Sequence, residues 1–112
     1  MGLDSFFTCP QAIERHHSGI LGLFQDGFCK WLINNQYSKS IITVYIPHIT
    51  HLSCFLSEQG LDNFQEIKES HIDAYFEQPL APHFLKCAHH AYGRFLVYLK
   101  EQKINLVIPS LP

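Results

Sequence analysis

The chain is 112 residues long, 46% hydrophobic, and carries a formal net charge of −2. That length bounds one domain with a single core, and nine Phe, five Tyr and one Trp supply the bulk to fill it without covalent staples. The charge balance is unlike that of a free-standing, strongly basic nucleic-acid binder. No long apolar run marks a membrane span, and the opening MGLDSFF lacks the basic and apolar segments of a secretory leader, so a cytoplasmic, reducing compartment is expected. Cys9, Cys29, Cys54 and Cys87 are scattered and read as buried thiols rather than a disulfide framework.

Residues 1–18 carry no clear period and are interrupted by Pro10; they read as a loosely packed arm with one turn of helix around 11–17. From Gly19 the pattern sharpens. Leu21, Phe24, Phe28, Trp31 and Leu32 fall on one helical face, while Gln25, Asp26, Lys30 and Asn34 fall on the other. Gly22 and Gly27 weaken that helix by up to about 1 kcal/mol each, so irregular early turns are expected. The short link 35–37 favours an antiparallel neighbour.

The stretch 37–60 is the central element. Ile42, Tyr45, Ile49, Leu52 and Leu56 recur at three- and four-residue steps, Ser38 and Ser40 can cap the start, and Gly60 can turn left-handed at the end. Pro47 removes one helical hydrogen bond, which predicts a kink there or a helix that begins just before it. Asp62 and Asn63 then mark a turn, and residues 69–78 form a short helix burying Ile72, Tyr75 and Phe76. The run QPLAP stops it. Pro82 suits the first turn of a last helix reaching about residue 102, with Leu85, Ala88, Tyr92, Phe95, Leu96 and Leu99 inward. The tail INLVIPSLP is apolar and aperiodic, either a linker or an arm that docks on a neighbour. With no repeat and no strand alternation, the fold is all-α with four main helices.

Charge is distributed unevenly. Between residues 58 and 77 lie Glu58, Asp62, Glu66, Glu69, Asp73 and Glu77 against Lys68 alone, which leaves the remainder of the chain at about +3. An anionic ligand would therefore meet the other helices.

Three stretches together carry a resemblance: DGFCKWLINNQYSKSIITVYIPHITHLSCFLSEQGL, IKESHIDAYF and HFLKCAHHAYGRFLVYLKEQ. An apolar helix ends before a Gly-Tyr-Ser-like turn. The next helix has a tyrosine near its start, a short acidic helix follows, and a last helix closes on Phe-x-x-Tyr-Leu. In this cadence the chain, over roughly residues 11–104, resembles the N-terminal core-binding domain of phage-integrase-type tyrosine recombinases. The upstream QAIERHHSGILGLFQDGF is similar to the lead-in of integrases and transposases related to insertion elements. The resemblance implies a four-helix, SAM-like orthogonal bundle over 19–104, an arm at 1–18, and a linker at 105–112 towards an absent catalytic domain. It further implies half of a clamp on double-stranded DNA, assembled with other recombinase protomers, with neither a membrane nor a small-molecule substrate as partner. Carried over by position, Lys39, Ser40 and Thr43 of the central helix and His83, Lys86 and His90 of the last helix would face DNA. The sequence departs from the family in placing Ser40, Thr43, Ile46, Pro47, Thr50 and His51 where relatives typically have arginines.

The family's catalytic constellation of arginines, lysine, histidine and nucleophilic tyrosine is not matched. Arg15 and Arg94 are the only arginines, and Tyr37, Tyr45, Tyr75, Tyr92 and Tyr98 mostly fall on apolar faces, so the chain is expected to be non-catalytic and cofactor-free. A metal reading rests on His83, Cys87 and His90 at i, i+4 and i+7, and on His48, His51 and Cys54 at three-residue steps; without a tight ligand knuckle it is set aside. His83, His89 and His90 around Lys86 would strengthen anion binding below about pH 6.5. The alternative function is a helical protein–protein module, using the acidic face of 58–77 and the apolar tail.

Overall fold

Ser38 leaves the helical conformation, with φ −68° and ψ 157°, and its Oγ accepts the Ile41 N–H at 3.3 Å. That cap fixes where the central helix begins. The computed structural model describes residues 10–61 and 66–102. They form α1 (Pro10–His17), α2 (Gln25–Asn34), α3 (Lys39–Glu58), α4 (Glu69–Phe76) and α5 (Pro82–Glu101), with a 3-10 turn at Gly22–Phe24 before α2. No strand occurs among the described residues, and the fold is all-α. The start of the arm, the Asp62–Asn63 turn and the apolar tail lie outside the described residues.

α3 is the axis of the bundle. Ile42, Ile46, Ile49, Leu52 and Leu56 are buried along it. By length and composition this helix could cross a bilayer, yet here its apolar stripe is spent on the core. It runs through Pro47 without interruption, so the proline does not mark its start. The residue simply withholds the N–H that would have met the Thr43 carbonyl. Gly60, with φ +83°, adopts the left-handed conformation just past the helix end.

α5 packs along α3 and inserts Ala88, Ala91, Tyr92, Phe95 and Leu99. Small residues at 88 and 91 let the two backbones approach, Phe95 fills the space towards α2, and Tyr92 packs against Phe76 of α4. Phe28 meets Phe95 edge to face at 5.1 Å and 86°, a favourable arrangement for two quadrupoles. Gly27 has a specific purpose on α2: a Cβ there would overlap the Tyr98 hydroxyl.

Two expectations are corrected by the packing. The segment around 11–17, expected as one helical turn in a loosely packed arm, is an eight-residue helix docked on α3 with His16 only 5% exposed, so the described residues hold a fifth α-helix beside the four main ones expected. Gln25, which the helical period placed on the polar face, is completely buried. Both result from polar contacts with α3. The Thr50 Oγ lies 2.7 Å from His16 Nδ1, accepts Gln25 Nε2 at 2.9 Å, and reaches the Ile46 carbonyl at 3.1 Å. One and two turns further on, Ser53 Oγ accepts the Leu21 N–H at 2.9 Å and Ser57 Oγ accepts the Ile20 N–H at 3.1 Å. A polar stripe on α3 thus satisfies backbone groups that the irregular 18–24 segment would otherwise bury unpaired.

The connection from α2 to α3 has the geometry of a Schellman motif. Tyr37 N–H donates to the Leu32 carbonyl and Gln36 N–H to the Ile33 carbonyl, both at 3.0 Å. Gln36 carries the left-handed φ of 65° that this motif requires, at a position normally given to glycine. Gln36→Gly should therefore stabilise the chain by about 1 kcal/mol, measured by urea unfolding. Thr50→Val should destabilise it by about 1–3 kcal/mol in the same assay, because His16 and Gln25 lose a shared buried partner.

Burial, and then the charges of Arg15 and His17, push the His16 pKa below its unfolded value of 6.5. The unfolded chain therefore binds the proton more readily. The stability this contributes is complete above pH 6.5 and is lost as pH falls from there towards the folded pKa. The thermal midpoint should drop between pH 7.5 and 5.5, and His16→Asn should flatten that drop; equal slopes in the two proteins would refute the assignment.

Candidate nucleic-acid interface

Helices α3 and α5 run in opposite directions. Near the start of α5, Phe84 packs its ring against His48 at 4.6 Å and His51 at 5.2 Å from the middle of α3. Further along, Cys87 and Arg94 lie close enough to Tyr45 to act on its phenol. At the far end, Trp31 stacks on Tyr37 just before α3 and donates its Nε1–H to Glu101 of α5 at 3.1 Å. The seam between these helices is therefore bordered by aromatic residues, with imidazoles at its Phe84 end.

Lys39 and Ser40 are exposed in the first turn of α3. Thr43 is half-buried, and its hydroxyl turns back onto the helix, 2.9 Å from the Lys39 carbonyl and 3.1 Å from that of Ser40. Its proton is used locally, which leaves the hydroxyl free to act towards DNA only as an acceptor. His83, Lys86 and His90 are exposed on α5, with His83 Nε2 3.8 Å from Cys87 Sγ. The antiparallel arrangement does not gather the six residues into one cluster. Lys39, Ser40 and Thr43 lie in the first two turns of α3, whereas His83 lies near His48 in the middle of that helix.

Other charged groups join them. Arg94 is exposed four residues beyond His90 and eight beyond Lys86, so the three cations and imidazoles form a stripe along α5 at helical spacing. The four-residue step was the available signal for Arg94. His48 and His51 come to the seam from α3, where His51 Nδ1 is hydrogen-bonded to the Tyr75 hydroxyl at 2.8 Å. Burial, followed by the nearby His51 and His83, holds His48 below the ordinary imidazole pKa. His89 is turned the other way and stacks on Phe76 of α4 at 3.9 Å.

Positions 46 and 50, where arginines would be expected in the recombinase pattern, face inward: Ile46 and Thr50 are buried. Arginine there would have no access to a ligand. Burial raises the Tyr75 pKa to about 12 and raises that of Tyr92 further, while Tyr98 is also buried and shifted up. Cys54 and Cys87 are half-buried thiols, and no group of three or more His, Cys, Asp or Glu side chains among the described residues is placed to hold a metal ion.

Charge is distributed unevenly among the helices. α3 has no acidic residue before Glu58, and α5 has none before Glu101. Glu58, Glu66, Glu69, Asp73 and Glu77 are all exposed around the end of α3 and along α4. No family model, curated protein or solved structure matches the chain.

Proposed function

We propose that the chain is a DNA-binding, non-catalytic core-binding domain of a tyrosine-recombinase-like integrase or transposase, which clamps a duplex during site-specific recombination. The observation that carries this reading is the charge separation. The two helices packed most extensively on each other are free of acid until their last residues, and they expose Lys39, Lys86 and Arg94 with His83 and His90. A polyanion is attracted to that side and repelled from the acidic α4 side. The buried, high-pKa tyrosines support a non-catalytic role, since a phenol kept protonated and enclosed is a poor nucleophile.

A second reading, a helical protein–protein module, is favoured by one observation: Ile41, Val44 and Val97 are exposed aliphatic residues on the same pair of helices. Salt separates the two. Three phosphate contacts give a slope of about −3 in log affinity against log salt, whereas an apolar contact is nearly insensitive to salt.

Fluorescence anisotropy with a labelled duplex should show binding that weakens with this slope between low and physiological salt. Lys39→Glu and Lys86→Glu should each weaken binding and lower the slope by about 1. Salt-independent binding, or slopes unchanged in both variants, would refute the DNA reading.

A further inference from the structure

The outward side of α3 has an unusual composition for a surface that meets DNA. Ser40, Ile41, Val44 and His51 are exposed, and Pro47 and His48 are half-buried beside them. The two imidazoles are already engaged, His48 against Phe84 and His51 with the Tyr75 hydroxyl. Apart from Lys39, this helix offers no arginine, asparagine or glutamine to bond a guanine or adenine edge in bidentate fashion. What it presents freely is one hydroxyl at Ser40 and the methyl groups of Ile41 and Val44, which are 37% and 41% exposed.

A duplex offers a single apolar group in its major groove, the thymine 5-methyl. Phosphates and sugars give aliphatic side chains no comparable partner. Resting on the DNA-binding reading above, we infer that α3 recognises its site through thymine methyl groups, with Ile41 and Val44 as the specificity-determining residues and Lys39 as a phosphate anchor. The occupant is identified by charge complementarity. The same helix is free of acid up to Glu58, and α5 adds Lys86 and Arg94 alongside.

The test compares three labelled duplexes on the native chain: alternating A·T, its A·U counterpart lacking only the methyl groups, and alternating G·C, each at two salt concentrations. The A·T duplex should bind more tightly than A·U by about fourfold for each methyl buried, with the same salt slope. Ile41→Ser combined with Val44→Ser, checked for folding by circular dichroism, should bring A·T and A·U to equal affinity. Equal binding of A·T and A·U by the native chain overturns the inference while leaving the DNA-binding reading in place, and a preference that persists in the double variant overturns it as well. Absence of salt-sensitive binding to all three duplexes overturns the parent reading itself. Self-association abolished by the same two substitutions, measured by sedimentation equilibrium, would assign this face to a second copy and overturn the proposal.

Discussion

The hydroxyl of Thr50 is the point at which three parts of the molecule become one. It belongs to α3, it takes a hydrogen bond from Gln25 of α2, and it holds His16 of α1. Ser53 and Ser57 extend the same stripe to the backbone of residues 18–21. A buried polar group without a partner costs about as much as many whole side-chain contacts contribute, so this stripe strongly specifies how the N-terminal third docks. The apolar side of α3 is less demanding, because hydrophobic contacts are non-directional and tolerate small changes of angle.

That division of labour positions the proposed interface. With one side of α3 closed by α1 and α2 and another by α5, only the side running through Ser40, Val44 and His51 remains in solvent. α5 is held in turn by Phe28, Phe95 and Tyr98 against α2, and by Phe76 and His89 against α4. Its Lys86, His90 and Arg94 stripe is consequently fixed relative to α3. The acidic residues concentrate at the end of α3 and along α4, while the start of α3 and most of α5 carry none, which gives the molecule an electrostatic polarity that its small net charge conceals.

Much of the architecture was legible from residue spacing. The α3 stripe, its Ser38 start, the Gly60 stop, the Pro82 opening of α5 and the irregular entry to α2 all follow from local rules, and each is present. The α1 docking was not legible, because His16 and Gln25 are polar residues whose burial depends on a hydroxyl 34 and 25 residues away, respectively. A period count treats such residues as solvent-facing. The candidate site has a similar case: Ile46, absent from the apolar stripe counted from spacing, is fully buried once α3 packs on its neighbours.

The sequence by itself determined that the chain is helical, where most helices begin and end, and that acidic residues concentrate in one stretch. Those properties are local: they depend on capping, on proline and glycine conformations, and on the 3.6-residue repeat. Only the tertiary structure decided which side of α3 stays exposed, that Arg94 of the α5 stripe comes near Tyr45, and that His83 meets the middle of α3 and not its Lys39 start. These are consequences of contacts between residues distant in sequence, and no local pattern encodes the direction or depth at which two helices pack.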